Sequence, residues 1–228
     1  MSNIKNYTIM ASKNEKKSDE KKSTTKSAAN EKSKSQSQGN TKSQSKSQTK
    51  GASKSQKQAR FSEKHEGKLL EFFIDEVKDV YFAEHEALKA LKKMEKAATS
   101  KALKDSIVKH QGETEEQISR LEEVFGLLDE KPSKKKCDGI LGIIKDGEGV
   151  IEDTEANTMV RDAAIIIASQ KVEHYEITSY GSLAELARTL GKDEVAEILE
   201  VTLEEEKQTD ITLTLLAEES INEEASTE

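Results

Sequence analysis

Carboxylates interrupt the apolar stripes of four amphipathic segments in this 228-residue chain. Glu84, Glu113, Glu173 and Glu206 each stand where the helical spacing otherwise places apolar side chains. A buried ionised carboxylate must be paired, hydrogen-bonded, protonated or bound to a cation, because its desolvation is otherwise too costly. Four such carboxylates on four helices predict a shared polar core, which can hold a dinuclear iron or manganese site.

Two Glu-x-x-Glu pairs strengthen this prediction, because residues three apart are neighbours on one helix face. Dinuclear sites in helical bundles use Glu-x-x-His on two helices, and the sequence contains no such motif. The predicted metal ligands are Glu84, Glu113, Glu116, Glu173, Glu176 and Glu206. The side chains predicted to support them are His110, His174, Tyr180 and Asp210. The alternatives to a di-iron or di-manganese cofactor are a metal-free network and placement on a solvated face.

The elements that must position these residues are helices. A period of 3.6 predicts helices over about 67–97, 101–128, 133–154, 159–190 and 192–219, and strand signals are nearly absent. The third helix is short and interrupted by glycines, and it lies in the connection between two long pairs. The sequence therefore predicts an all-α, ferritin-like four-helix bundle with an extra short helix in the crossover.

The first sixty residues have a different composition from the rest of the chain. They contain 15 Lys and Arg against 4 Asp and Glu, whereas the remainder contains 21 and 40. Imperfect Lys-Ser-Gln repeats cannot bury enough apolar area to offset chain entropy. We predict a disordered basic tail over 1–62, a helical bundle over 63–222 and a disordered C-terminus over 223–228. The tail is either a solubilising linker, an arm for weak, non-specific nucleic acid binding through residues 1–60, or a partner for the acidic body.

Cysteine content and apolar run length bear on the compartment. Cys137 is the only cysteine, so no intramolecular disulfide can form, which suits a reducing environment. The longest apolar run, Ala163–Ala168, is far shorter than the roughly 18 residues of a membrane span. We expect a cytoplasmic protein with no membrane contact.

Whole helices of this sequence resemble the YciE/YciF family of bacterial ferritin-like proteins. The segments that carry the resemblance include "DEVKDVYFAEHEALKALKKM", "GETEEQISRLEEVFGLLDEKPSKKKCDGI" and "VRDAAIIIASQKVEHYEITSYGSLAELARTLG", and together they span about Leu69 to Ala217. The resemblance implies a rubrerythrin-like bundle, a homodimer and an association with bacterial stress. Some relatives have a His near the second-helix pair, where this chain has Glu115 and Glu116. A site richer in oxygen ligands suits Mn, Mg or Ca as much as iron.

Two functions remain open at this point. The first is a stress-response protein with a carboxylate-rich dinuclear site that handles iron or peroxide. The second is a non-enzymatic, dimeric structural or binding protein whose basic tail contacts nucleic acid. Metal content separates the two, and the sequence does not decide whether the protein is an enzyme.

Overall fold

The computed structural model describes residues 49–228, with side chains from Gly67 onward. The helices are α1 (Thr49–Ala97), α2 (Lys101–Leu127), α3 (Asp138–Asp153), α4 (Met159–Thr189), α5 (Asp193–Leu216) and α6 (Asn222–Ala225). One turn of π-helix, Ala217–Ile221, joins α5 to α6. No strand occurs between residues 49 and 228. The all-α prediction is therefore confirmed, and the five predicted helices correspond to α1–α5.

The four long helices form a ring in which α1 packs against α2 and α4, and α5 packs against α2 and α4. Neighbouring helices in the ring are antiparallel, because residues later in one helix contact residues earlier in the next helix. On α1 and α2, for example, Tyr81 donates to Glu122 whereas Glu95 accepts from Gln111. Consequently α2 and α4 are parallel and diagonal, so the connection between them crosses the bundle. Helix α3 lies in this crossover, as the sequence predicts, and it packs against α1 and α4.

Apolar clusters fill the four-helix bundle toward each of its two ends, and a third lies where α3 packs against α1 and α4. The first includes Phe73, Val77 and Leu199, and the second includes Leu103, Ile165 and Leu213. Between them lies a set of buried polar side chains contributed by all four long helices, which we call the polar layer. Its members are Glu84, His110, Thr114, Gln117, Glu173, Glu176, Thr202, Glu206 and Thr209. A helical bundle with apolar ends therefore encloses one polar section.

The N-terminal boundary differs from the prediction. Helix α1 begins at Thr49, whereas the sequence predicts a disordered tail through residue 62. Residues 49–62 are rich in Lys, Gln, Ala and Ser, and the first three are good helix formers, so the backbone can continue the helix. The remaining part of the predicted basic tail, residues 1–48, lies outside the described residues.

The C-terminal boundary also differs. Residues 223–228 are predicted to be disordered, but Asn222–Ala225 form α6. The Glu228 carboxylate accepts hydrogen bonds from the backbone N–H groups of Met159 and Val160 at the start of α4. These donors have no partner within their own helix, and an acidic group is favourable at a helix N-terminus. Among the helices over residues 49–228, none combines the length and apolar character needed to cross a membrane.

Candidate metal centre

Three of the long helices bring four potential ligand atoms together in the polar layer. His110 comes from α2, Glu173 and Glu176 from α4, and Glu206 from α5, and one atom of each lies within 4.8 Å of all the others. All four residues are buried. Glu173 and Glu176 are three residues apart, which puts both on the inner face of α4. We call these four residues the metal cluster.

His110 approaches two carboxylates of the metal cluster. Its Nε2 is 3.3 Å from Glu173 Oε1 and 3.7 Å from Glu206 Oε2. Its Nδ1 is 3.3 Å from the hydroxyl of Thr209. Burial alone would lower the pKa of His110, but the negative charge of Glu173 and the close approach of the Glu113 and Glu173 carboxylates outweigh it and hold that pKa well above its usual value. The sequence predicts only a supporting role for this residue, but the geometry puts it among the ligand candidates.

Glu84 from α1 faces the metal cluster beside Tyr180. The Tyr180 hydroxyl, which is fully buried, donates a hydrogen bond to Glu84 Oε1. Burial raises the pKa of Glu84 to about 7, and the hydrogen bond from Tyr180 and the charge on His110 limit that rise. Tyr180 thus contacts one of the predicted ligands, Glu84, and its supporting role at a metal site stays a prediction.

Repulsion within the polar layer is strong. Burial, together with the charges of neighbouring carboxylates, raises the pKa of Glu176 and of Glu206 well above the usual value. Several carboxyl oxygens have no hydrogen-bond partner among residues 67–228: Glu84 Oε2, Glu113 Oε2, Glu173 Oε2, Glu176 Oε1 and Glu206 Oε2. Oxygens in this state need protons or a cation. The donor set, carboxylates plus one imidazole, fits a divalent iron or manganese ion.

Glu113 lies at the rim of the metal cluster. Its side chain is 22% exposed, accepts a hydrogen bond from Lys109 and approaches His110 Nδ1 to 3.7 Å. The interaction with His110 is the main reason that the pKa of Glu113 is lower than usual. Glu113 can therefore orient His110, whereas the sequence predicts it to be a ligand.

Glu116 is not brought to the cluster. Its side chain is 77% exposed, and its nearest cation is Arg120, 3.9 Å away. The reason is the register of α2, whose buried positions continue from His110 through Thr114 to Gln117. Gln117 therefore occupies the inward position that the spacing assigned to Glu116.

His174 and Asp210 meet each other away from the metal cluster. His174 is exposed, and its Nε2 is 3.3 Å from Asp210 Oδ1. Gln170 also donates to Asp210. The two residues form a contact between α4 and α5 near the surface and do not support the cluster as predicted.

Arg120 links the polar layer to the surface. Its guanidinium donates to both oxygens of Glu205 at 2.6 and 2.8 Å and to the hydroxyl of Thr202 at 2.6 Å. Gln117 Nε2 donates to Glu205 Oε2 at 3.1 Å and also to Glu206 Oε1. The chain of polar contacts thus runs from Arg120 inward to Glu206.

A small cavity lies beside the metal cluster, between the cluster and the second apolar cluster. Its volume is about 10 Å³, enough for about one water-sized molecule. The residues around it are Leu91, Ser106, Ile107, His110, Ser169, Glu173, Thr209 and Leu213. A molecule of that size in the cavity would contact two residues of the metal cluster.

Comparison with known proteins agrees with this architecture. Residues 68–226 match the family described as "Domain of unknown function (DUF892)". The chain belongs to the DUF892 family. Escherichia coli YciF is 46% identical over 154 residues, which are 67% of this chain and 92% of YciF. The DUF892 relationship therefore confirms the resemblance to YciE/YciF proteins.

Two solved structures of similar proteins share the fold. The crystal structure of the E. coli stress protein YciF matches with a TM-score of 0.64 and 44% identity, covering 68% of this chain and 97% of YciF. A Rhodopseudomonas palustris protein, YcfI, which is described as a candidate structural protein, matches with a TM-score of 0.63 and 38% identity. That match covers 64% of this chain and 92% of YcfI. This DUF892 chain is thus a YciF-like helical protein whose buried carboxylate and histidine cluster could hold a metal ion.

Three residues of the polar layer and its edge were missed in the sequence of this DUF892 chain: Gln117, Arg120 and Thr209. Their side chains, an amide, a guanidinium and a hydroxyl, are less common metal ligands than carboxylates and imidazoles, so residue type alone does not single them out. The helical spacing of α2 does indicate that Gln117 faces inward, since it continues the buried stripe that includes Thr114 and Leu121. The pairing of Arg120 with Glu205 depends on how α2 and α5 pack, and local spacing does not contain that information.

Proposed function

We propose that this protein holds a dinuclear iron or manganese centre in the polar layer and acts in a stress response by handling iron or peroxide. The description of the E. coli relative as a stress protein supports the second part, because the two chains are similar over most of the folded region. The chemistry of the polar layer supports the first part.

The observation that carries the proposal is the concentration of buried oxygens that lack a hydrogen-bond partner. In the described part of the chain, every buried side-chain N or O atom of this kind, except Nε2 of His85, belongs to the polar layer or to Glu113 at its rim. Carboxylates gathered this closely cannot all stay ionised without positive charge between them. Divalent cations supply that charge and leave the carboxylates ionised, whereas protons would neutralise them.

The residues that would hold the metal are His110, Glu173, Glu176 and Glu206, with Glu84 on the α1 side. A bound iron or manganese would supply redox chemistry toward peroxide or dioxygen. Tyr180 orients Glu84 through its hydroxyl, and Thr209 faces Nδ1 of His110. Burial between two apolar clusters keeps bulk water away from these groups.

Elemental analysis of full-length protein purified without chelator tests the proposal. We expect up to two equivalents of iron or manganese per chain, and turnover of Fe(II) or peroxide by the loaded protein. Chelator-treated protein that regains neither metal nor turnover on addition of Fe(II) or Mn(II) would contradict it.

The alternative is a dimeric structural protein whose polar layer is a protonated network and whose basic residues 1–60 bind nucleic acid. The raised pKa values of Glu176 and Glu206 favour protonation when no metal is bound. The description of the R. palustris relative favours a structural role. A chain lacking residues 1–58 tests the nucleic acid part, because its DNA binding at low salt should be lost.

A further inference from the structure

Gln117 is the only amide side chain in the polar layer and is completely buried. Its Nε2 donates one hydrogen bond to Glu205 Oε2 at 3.1 Å and a second to Glu206 Oε1. A primary amide has two N–H donors. Both donors of Gln117 are therefore used on the α5 side, and its carbonyl oxygen must face elsewhere.

Arg120 and Glu205 hold the amide in this orientation. The guanidinium stays charged in proteins, and its two contacts with Glu205 keep that carboxylate in place as an acceptor. If the amide turned over, Oε1 would face the oxygens of Glu205 and Glu206, and both would lose a donor. The turned orientation is unfavourable, so Oε1 stays directed away from both carboxylates.

Oε1 of Gln117 is buried and has no hydrogen-bond partner among the residues with described side chains. A buried carbonyl oxygen without a donor is costly. Gln117 contacts Glu206 of the metal cluster through its N–H group, and a cation held by that cluster would satisfy the amide oxygen at the same time. The donor set of the metal cluster is already rich in oxygen, and a neutral amide adds a hard ligand without adding charge.

We propose that Gln117 Oε1 is a metal ligand, and that Arg120 and Glu205 are positioning residues that fix the amide for this purpose. This inference rests on the proposed function, because it assigns an additional ligand to the same centre. It also accounts for the position of Gln117 at the inward place on α2 where the sequence predicts a carboxylate.

Mn(II) titration of chelator-treated full-length protein, followed by the electron paramagnetic resonance signal of free Mn(II), tests the inference. Gln117→Leu removes the oxygen and the donor, and we expect Mn(II) affinity to fall at least about 10-fold. Gln117→Glu keeps an oxygen at the same place but removes the donors, and we expect affinity equal to wild type or higher. Gln170→Leu is the matched control, because Gln170 donates to Asp210 and Thr214 outside the metal cluster.

The Glu variant separates an oxygen ligand from a residue that only orients Glu206. If Gln117 acts only through its N–H groups, Gln117→Glu should bind Mn(II) as weakly as Gln117→Leu, and that result would overturn the inference. Wild-type affinity in Gln117→Leu would overturn it too, while leaving the proposed function intact. Absence of Mn(II) binding in the wild type would overturn both. If the Leu variant does not fold, as judged by its thermal melt, Gln117→Met replaces it with the same expected loss.

Discussion

The Glu-x-x-Glu motifs of α2 and α4 have the same spacing and opposite environments. On α4, Glu173 and Glu176 are both buried and belong to the metal cluster. On α2, Glu113 is at the rim and Glu116 is exposed. Spacing alone puts two side chains on one face of a helix, but it does not say which face.

The apolar residues around each motif decide that question. On α4 the buried stripe passes through Glu173 and Glu176 and continues to Tyr180. On α2 the stripe passes through Thr114 and Gln117 and leaves Glu116 about 100° away, since successive residues differ by that angle. The α4 motif should therefore respond to protons and metal, and the α2 motif should respond only weakly.

The largest expected effect of burying carboxylates is on the pH dependence of stability in metal-free protein. Glu84 has its pKa raised by burial to about 7 in the folded state. The folded state then holds its proton more tightly than the unfolded state, so stability is highest at low pH and falls as pH rises from about 4.5 to 7. The expected loss from Glu84 is about 3 kcal/mol. The raised pKa values of Glu176, Glu206 and His110 act in the same direction.

Urea denaturation at a series of pH values measures this loss. Glu84→Gln should flatten the curve between pH 4.5 and 7, because the amide does not titrate. The same substitution at Glu116 should leave the slope unchanged. If the free energy of unfolding of metal-free protein instead rises from pH 4.5 to 7, the buried carboxyls of the polar layer do not have raised pKa values.

A smaller effect is expected from Tyr180→Phe, which removes the hydroxyl that donates to Glu84. A buried acceptor that loses its donor costs about 1–3 kcal/mol, so unfolding free energy at pH 8 should fall by that amount. Tyr81→Phe is the control, because Tyr81 donates to Glu122, which is exposed on the surface of the bundle. An equal decrease in unfolding free energy for the two substitutions would contradict the claim that Glu84 is a buried acceptor dependent on Tyr180.

The smallest effect is expected from Glu116→Gln. Its side chain is 77% exposed and its contact with Arg120 is long, at 3.9 Å. Exposed ion pairs contribute little, so the free energy of unfolding should change by less than about 0.5 kcal/mol. Isothermal titration with Mn(II) should also give the wild-type affinity, and a loss of 10-fold or more would show that Glu116 reaches the metal after all.

Most of the fold could be predicted from apolar periodicity, because long amphipathic helices bury continuous stripes. The predicted α4 and α5 boundaries agree with the structure to within a few residues, and the crossover helix α3 was expected. Helix α1 begins earlier, at Thr49, where the sequence has no apolar stripe at helical spacing. The turn of π-helix at Ala217–Ile221 also leaves no periodic signal.

The site could be predicted only in part. The burial of Glu84, Glu173, Glu176 and Glu206 follows from carboxylates that interrupt strongly apolar stripes. On α2 the stripe is weaker in apolar residues around Gly112, so a shift of one position could not be resolved, and Gln117 was missed. The membership of His110 in the metal cluster depends on the packing of α2 against α4 and α5, which is a tertiary property.

Thermal unfolding of metal-free wild type and Glu173→Gln, each with and without Mn(II) or Fe(II), tests the central claim most directly. Metal at about 100 times its dissociation constant should stabilise the wild type by about 2.7 kcal/mol, or roughly 5–10 °C. Glu173→Gln should remain folded and show no such shift, because the amide is nearly isosteric but uncharged. If the wild type shows no shift with Mn(II), Fe(II) or Zn(II), and Glu173→Gln is at least as stable, the polar layer is a protonated structural network and not a metal centre.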